Sequence, residues 1–391
     1  MREVYVVGIG ITSFTRLEYP LSEIAAYPAM EAMKDAGLSK VDHVYVANMG
    51  SARLNHQTGL ASAVVDTLSL TPAGAEVIEN GPASGASAIK QGFMAVASGL
   101  HDVVLVTSAE RLREVNNLEA TDVVASLSHP LAEYIYGVTL PSLAAMFTRL
   151  YMQKYGVTER HLAMVAVKNH DNALLNFFAH LHEKITIEGI LDSPEAMTNN
   201  PYVAEPLRFF DCCPVSDGGA AVILASADVA KKLNKPLIRL AGVGQATDTH
   251  CVHERTEPTD LLAVRGAAAK AFQMAGVSPS DVDVAELHDA FTILEIVESE
   301  EVGFFKKGQG HLALERGETR LGGKLPINTS GGLKAKGHPV GATGVGQAHE
   351  IVLQLRGEAD KRQVKDARIG FTCNFGGFGN NVVCLVFKRE N

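Results

Sequence analysis

The sequence carries the same strand-and-helix pattern in each of its two halves. The first copy opens with Val4-Tyr-Val-Val-Gly-Ile-Gly10, and the second opens with Ile238-Arg-Leu-Ala-Gly-Val-Gly244. Each of these apolar runs predicts a strand that ends in glycines. An alanine-rich stretch follows each run, over 25–37 and 264–276, and its final Ala-Gly is a common helix stop. The repetition predicts a duplicated fold.

A second pair of units has the same order of elements. Residues 85–99 and 341–355 are rich in small side chains and predict helices, and strands are predicted after them at 102–107 and 367–373. Strands that alternate with helices at this spacing are typical of layered α/β domains. We therefore predict an α/β architecture in both halves.

The chain of 391 residues is long enough for two to three domains. We predict an N-terminal half over 1–235 and a C-terminal half over 236–391. Between the repeated units, a less regular stretch at about 112–210 contains helical patterns at 143–155 and 161–173. We predict an inserted loop domain here, and a long surface insertion is the plainer alternative.

Composition excludes several classes of function. A net charge of −9 argues against binding to nucleic-acid phosphates. No apolar run reaches the roughly 18 residues of a membrane span, and the N-terminus reads as a strand rather than as a secretory signal. The cysteines are few and do not form Cys-x-x-Cys pairs, so we expect a reducing cytoplasm and no zinc ribbon. These cysteines are Cys212, Cys213, Cys251, Cys373 and Cys384.

Three segments of the C-terminal half carry candidate catalytic side chains. Residues 328–344 read Asn-Thr-Ser-Gly-Gly-Leu-Lys-Ala-Lys-Gly-His-Pro-Val-Gly-Ala-Thr-Gly, and residues 373–379 read Cys-Asn-Phe-Gly-Gly-Phe-Gly. A third segment, His288-Asp-Ala-Phe291, follows a predicted strand. Together they resemble the thiolase superfamily, closest to its archaeal and sterol-carrier-protein types, over almost the whole chain. The resemblance implies the duplicated five-layer αβαβα thiolase fold, with an inserted loop domain that covers an acyl-CoA.

The resemblance also implies a role for each catalytic candidate. His338 helps to bind the thioester carbonyl oxygen as it becomes an enolate, where a positioned donor is worth about 3 kcal/mol. Cys373 moves the α-carbon proton, and we expect His338 to stabilise its thiolate. His288 orients a water or a substrate group near the same oxygen, and Asp289 supports the local geometry. Outside such motifs a histidine is usually structural, and a buried cysteine is usually a small hydrophobic residue.

Three further residues are predicted to contact the substrate, namely Gly377, Ser330 and His56. His56 could equally point away from the pocket. Residues 211–219 read Asp-Cys-Cys-Pro-Val-Ser-Asp-Gly-Gly and match a family turn that enters a core strand, so we interpret its two cysteines as structural.

Residues 250–254, His-Cys-Val-His-Glu, form the segment with the most possible ligands for a metal. The resemblance instead favours a loop that borders the pantetheine channel, and we predict no metal site. A displaced nucleophile at Cys251 is a further interpretation of the same segment.

The family's nucleophile is absent from its usual motif. Family members place a cysteine in a Cys-Ala-Ser-Gly turn, whereas residues 79–85 here read Glu-Asn-Gly-Pro-Ala-Ser-Gly, with Pro82 at the nucleophile position. Proline suits the first turn of a helix, but it cannot be acylated and has no N–H to donate. Ser84 is the nearest hydroxyl and matches the family's structural serine. It could replace the nucleophile, although the structural role is favoured.

These features favour carbon–carbon cleavage or formation through a thioester enolate, of the retro-aldol type, without an acyl-cysteine. The base for a β-hydroxyl stays open among His288, Cys373, Tyr134 and Tyr136. Two alternatives are a thiolase-type acyltransferase with an unusual nucleophile and a non-catalytic acyl-CoA-binding subunit. The resemblance implies a coenzyme A thioester as substrate, no covalently bound cofactor, a homodimer, and a possible small zinc-ribbon/OB-fold partner protein.

Overall fold

The computed structural model describes residues 1–390. Its strands are β1 (Val4–Ile11), β2 (His43–Ala47), β3 (Gly74–Ile78), β4 (Val103–Arg111), β5 (Tyr202–Ala204), β6 (Leu207–Arg208), β7 (Asp217–Ser226), β8 (Ile238–Thr247), β9 (Val284–Glu286), β10 (Ile369–Gly376) and β11 (Asn381–Arg389). Its helices are α1 (Leu21–Ala36), α2 (Ser51–Leu54), α3 (Leu60–Thr67), α4 (Ser84–Ser98), α5 (Asn117–Ala125), α6 (Leu140–Tyr155), α7 (Glu159–Ala173), α8 (Ala196–Asn199), α9 (Ala227–Ala230), α10 (Leu262–Ala275), α11 (Thr292–Glu301), α12 (Gly310–Glu315) and α13 (Thr343–Arg356).

The large sheet is built from two similar halves. Within residues 1–390 its order is β3-β2-β4-β7-β1-β8-β11-β10-β9, with parallel pairs at β2–β3, β2–β4 and β9–β10. The halves meet where β1 pairs antiparallel with β8, through Tyr5 opposite Arg239 and Val6 opposite Ile238. Outward from this junction, β7, β4 and β2 mirror β11, β10 and β9. The predicted duplicated α/β fold is confirmed.

Glycines at equivalent places let one helix of each half lie directly on its strand. A Cβ atom added to Gly10 in β1 would lie 2.1 Å from the carbonyl oxygen of Pro28 in α1. A Cβ added to Gly244 in β8 would lie 1.9 Å from the carbonyl oxygen of Ala267 in α10. No side chain fits at either position, which explains why both predicted strands end in glycines.

Helices α4 and α13 pack against each other near their N-terminal ends. A Cβ added to Gly344 would lie 2.4 Å from the backbone nitrogen of Ala86. The Ala86 N–H also donates to Oδ1 of Asn374 in β10, at 3.3 Å. This contact brings the segment before α4, the segment before α13 and the end of β10 to one place.

The stretch predicted as an insertion packs tightly on the C-terminal half. Leu143, Phe147 and Tyr151 of α6 share one buried apolar cluster with α10 and β10. The boundary at residue 235 stays a prediction. No helix among the described residues is long and apolar enough to cross a membrane.

Candidate active site

A cavity of about 880 Å³, measured with its open mouth, lies between the inserted stretch and the segments that follow β9 and β10. One wall comes from α5, Leu127 and the start of α6. The opposite wall contains His288, His338 and Phe375. Pro82 lies on the same lining. The walls are mostly apolar, with a few polar groups, which is the usual composition of a small-molecule site.

His288 is held with one ring nitrogen fixed as an acceptor. Its Nδ1 accepts hydrogen bonds from Nδ2 of Asn374 at 3.1 Å and from the backbone N–H of Phe375 at 3.4 Å. Its ring also stacks on Phe375, with centroids 5.1 Å apart. Because Nδ1 accepts, the proton of the neutral ring lies on Nε2. His288 therefore offers an N–H donor on the opposite edge of its ring.

His338 lies beside His288 in a turn that requires glycine. Gly337 has φ +112°. The backbone N–H of His338 donates to Oγ of Ser216 at 3.2 Å, and its Nδ1 lies 2.7 Å from Oγ1 of Thr343. A hydroxyl can donate or accept, so either tautomer of this ring is supported. The two imidazole rings meet edge to face, with centroids 4.9 Å apart.

Both imidazoles are neutral at neutral pH. Burial lowers the pKa of His338 to about 3, and the nearby charge of Lys336 acts in the same direction. Burial also lowers the pKa of His288 well below its ordinary value, with a smaller contribution from His338. The cavity thus presents two uncharged rings, and each carries one donor and one acceptor nitrogen.

Buried carboxyl groups hold the segments that carry these histidines. Glu110 accepts from the backbone N–H groups of Met49 at 2.9 Å and Gly341 at 3.1 Å, and burial raises its pKa to about 7. Asp289 accepts from the backbone N–H of Leu333 at 2.6 Å. Asp289 therefore supports local geometry, as the sequence predicts.

The structure does not bring Cys373 to the cavity. Its side chain lies in the apolar cluster on the face of β10 opposite Asn374, and its thiol interacts with Cys384 and Glu298. Burial, followed by these two neighbours, raises the pKa of the thiol well above its ordinary value. The expectation that His338 stabilises a Cys373 thiolate is therefore wrong. The strand also runs three residues beyond Cys373, to Gly376.

The three residues predicted to contact the substrate lie in different places in the structure. Gly377 lines the cavity and has φ +62°. Ser330 is fully buried away from it, where its Oγ donates to Oε2 of Glu286 at 2.5 Å. His56 is exposed after α2 and does not line the cavity. Neither Ser330 nor His56 lines the cavity, and their contacts with substrate stay predictions from the sequence.

Neither candidate tyrosine reaches the cavity. The hydroxyl of Tyr134 donates to Oδ1 of Asp122 at 2.5 Å, and Tyr136 is 79% exposed. Neither residue is part of the lining. Both are therefore removed as bases for a β-hydroxyl.

Two cysteines that the sequence motif presents as structural also line the cavity. These are Cys212 and Cys213, and the backbone N–H of Cys213 donates to the carbonyl of Ala290 at 2.9 Å. Burial raises the pKa of Cys213 to about 12, so its thiol stays protonated. No spacing signal in the sequence predicts this placement, because it depends on the pairing of the 211–215 turn with the segment after His288.

The hydroxyl of Ser84, at the start of α4, already makes two hydrogen bonds. Oγ of Ser84 donates to the carbonyl of Gly81 at 2.6 Å and accepts from the N–H of Asn80 at 2.8 Å. Ser84 is fully buried and does not line the cavity, whereas Pro82 does. The structural interpretation of Ser84 agrees with these contacts.

The fold and the cavity agree with the family models that match this chain. Residues 4–228 match the family "Thiolase, N-terminal domain", and residues 244–389 match "Thiolase C-terminal domain-like". The chain belongs to the thiolase superfamily and is an enzyme of that superfamily.

Its relatives have different named activities. An acetyl-CoA acetyltransferase of Methanothermobacter thermautotrophicus is 42% identical over the full length of both chains. Sterol carrier protein 2 of Gallus gallus is 32% identical over 98% of this chain and 71% of its own length. The solved structure of the "Ltp2-ChsH2(DUF35) aldolase" superimposes with a TM-score of 0.85 at 26% identity, over 100% of this chain and 98% of that chain. Acetyltransferases and an aldolase are thus among the proteins that this chain is similar to.

Proposed function

We propose that the protein cleaves or forms a carbon–carbon bond of an acyl-CoA thioester through a thioester enolate, without an acyl-cysteine intermediate. The observation that carries this proposal is Pro82. Its ring lies on the cavity wall at the start of the helix where the family places its nucleophile, and it can neither be acylated nor donate a backbone hydrogen bond. An enolate mechanism of the retro-aldol type requires neither of these groups.

The two histidines supply what such a mechanism needs. In cleavage, a base takes the β-hydroxyl proton, the Cα–Cβ bond breaks, and its electron pair moves to the thioester oxygen. The Nε2–H of His288 would donate to that oxygen as negative charge develops. His338, whose tautomer is not fixed by Thr343, would accept the β-hydroxyl proton at Nε2, direct the resulting N–H at the same oxygen as the enolate forms, and give the proton to Cα as the thioester is restored. Burial disfavours a protonated, positively charged His338. The negative charge of the enolate would offset that cost.

Cys373 has no part in this mechanism, since it does not line the cavity. If a thiol assists proton transfer to Cα, the thiols placed to do so are Cys212 and Cys213. Both have a raised pKa because of burial, so they would act as acids rather than as nucleophiles.

A thiolase-type acyltransferase is the second candidate, and the names of relatives favour it. The relative of Methanothermobacter thermautotrophicus and one of Methanocaldococcus jannaschii, 38% identical over its full length, are both called acetyl-CoA acetyltransferase. On this chain the activity would need another acyl acceptor, such as a cavity thiol or free CoA itself.

We further propose a homodimer in the cytoplasm that acts with a small zinc-ribbon/OB-fold partner. The two-part name of the "Ltp2-ChsH2(DUF35) aldolase", a solved structure with this fold, supports a partner subunit. A non-catalytic acyl-CoA-binding subunit is the remaining alternative.

Intact-protein mass spectrometry after incubation with a panel of acyl-CoA thioesters tests the first candidate against acyl transfer through a side chain of the protein. We expect no acyl adduct on the wild-type chain. A stoichiometric adduct at Cys212, Cys213, Ser84 or Cys251 would overturn the proposal and favour acyl transfer. Exchange of the α-protons of bound acyl-CoA with deuterated water then separates an enzyme that forms the enolate from a subunit that only binds.

A further inference from the structure

We infer, in contrast to the prediction of no metal site from the sequence, that Glu133, Cys251 and His253 form a zinc-binding site at the inserted stretch. The 250–254 segment is rich in possible ligands by sequence alone, and the fold adds Glu133 to it from a distant part of the chain. One ligand atom from each of the three residues lies within 4.8 Å of the other two. This inference is independent of the proposed enzyme activity.

The geometry is close to that of a zinc site. Tetrahedral zinc has bonds of about 2.0–2.3 Å, which places its ligand atoms roughly 3.3–3.8 Å apart. Nδ1 of His253 lies 3.9 Å from Oε1 of Glu133. The side chain of His253 is 59% exposed, so a small rotation of its imidazole brings Nδ1 to the tetrahedral spacing from Oε1 of Glu133.

The other two ligands are buried and held in place. Cys251 is only 3% exposed. Oε1 of Glu133 accepts the backbone N–H of Val252 at 2.8 Å, and its Oε2 accepts the backbone N–H of His129 at 2.9 Å. A carboxylate oxygen keeps lone pairs free after one such bond, so Glu133 can still bind a metal. The site is therefore largely formed before a metal arrives.

The ligand set selects the metal. Cysteine sulfur, imidazole nitrogen and carboxylate oxygen together suit zinc or cobalt, whereas magnesium and calcium prefer sites made of oxygen alone. Three protein ligands leave the fourth tetrahedral position to solvent, which the exposure of His253 permits.

The position of the cluster gives a bound metal a structural consequence. Glu133 belongs to the inserted stretch, and Cys251 and His253 belong to the loop after β8. That loop is joined to the turn after β10, because Nδ2 of Asn380 donates to the carbonyl of Thr249 at 3.0 Å. Phe378 of the same turn lines the cavity. A bound metal would thus link the inserted stretch, which supplies one wall of the cavity, to the loop that contacts the turn after β10.

Cobalt substitution tests the site without any assay of enzyme activity. We expect the purified chain, stripped with a chelator and titrated with Co²⁺, to bind one equivalent and to develop a sulfur-to-cobalt charge-transfer band. Zn²⁺ should displace the cobalt and remove the band. Cys251→Ser should abolish the band, and His253→Gln, which removes a ligand itself, should weaken binding by more than the roughly 10–100-fold that loss of an outer-shell partner costs.

His250→Gln is the matched control, because it changes a neighbouring histidine of the same loop that lies outside the cluster. It should bind cobalt as the wild type does. His253 is on the surface, so its variant should fold normally even if Cys251→Ser does not. The absence of the band in the wild type, or equal binding by His253→Gln and the wild type, would overturn the inference.

Discussion

The N-terminal ends of α4 and α13 occupy matching places in the two halves, but their chemistry differs. Both helices pack together, and the segment before each one reaches the same cavity. The segment before α13 presents His338, a neutral imidazole supported by Thr343. The segment before α4 presents Pro82. A duplicated fold thus supplies two equivalent positions with different side chains, and under the proposed function only the position of His338 takes part in the chemistry.

Replacing His338 by alanine should have the largest effect on turnover, because it removes the imidazole that the segment before α13 presents to the cavity. Loss of one donor to developing negative charge lowers a rate by roughly 10²–10³. Turnover of acyl-CoA substrates and an unfolding curve measure the effect. His349→Gln is the control, since this histidine on α13 is also buried with a pKa lowered to about 3 but does not line the cavity. Wild-type turnover by a folded His338→Ala protein would contradict the role.

A thiol in place of Pro82 should give the segment before α4 a reactive side chain, as His338 does for the segment before α13. In Pro82→Cys, the partial positive charge at the start of α4 should lower the pKa of the new thiol. We expect one acyl group per chain by mass spectrometry after exposure to acyl-CoA. Ala120→Cys, which puts a thiol on the cavity wall contributed by the middle of α5, should acylate far more slowly. Equal labelling of the two variants would show that the helix end has no special effect.

The buried state of His338 should also appear in the pH dependence of stability. Its folded pKa of about 3 lies below the ordinary value of 6.5, so the folded chain binds fewer protons than the unfolded chain between these values. Its contribution to stability is present above pH 6.5 and is lost as the pH falls towards 3. Relative to His338→Gln, the wild type should lose about 2 kcal/mol of unfolding free energy between pH 6.5 and 5. If denaturant titrations give the two proteins the same dependence of unfolding free energy on pH, the ring of His338 is not neutral and buried.

Cys373→Ser should have the smallest effect on chemistry. The thiol lies in the apolar cluster, so a hydroxyl there should lower the unfolding free energy by about 1–3 kcal/mol. Exchange of the α-protons of acyl-CoA should be unchanged, contrary to the expectation from the sequence motif. Cys384→Ser, at the paired position of β11, should destabilise the chain similarly. Loss of proton exchange in a stable Cys373→Ser protein would restore the motif-based role.

The fold is largely predictable from the sequence because the repeat is local and periodic. The glycine-ended strands, the Ala-Gly helix stops and the small-residue helices all lie within about three residues of where they are predicted. The resemblance to the thiolase superfamily implies that His288 and His338 act at one thioester oxygen, and both line the same cavity.

Side-chain direction could not be predicted in the same way. Cys373 and Asn374 are adjacent in the motif, but neighbouring residues of a strand point to opposite faces. Asn374 therefore contacts His288, while Cys373 points into the core. The places of Cys212 and Glu133 could not be predicted because their partners are far away in sequence, and only tertiary contacts bring them to the cavity and to the proposed metal site.

Cleavage of a β-hydroxyacyl-CoA in the absence of free CoA tests the central claim most directly. A retro-aldol step releases an acyl-CoA and an aldehyde or ketone with no acyl acceptor, whereas thiolase-type cleavage acts on a β-ketoacyl-CoA and consumes one CoA for each bond broken. We expect wild-type protein, supplied with its partner subunit if one is required, to release both products at a rate that does not depend on added CoA. No cleavage of any β-hydroxyacyl-CoA, together with CoA-dependent cleavage of a β-ketoacyl-CoA, would contradict the retro-aldol mechanism and assign the protein to the acyltransferases.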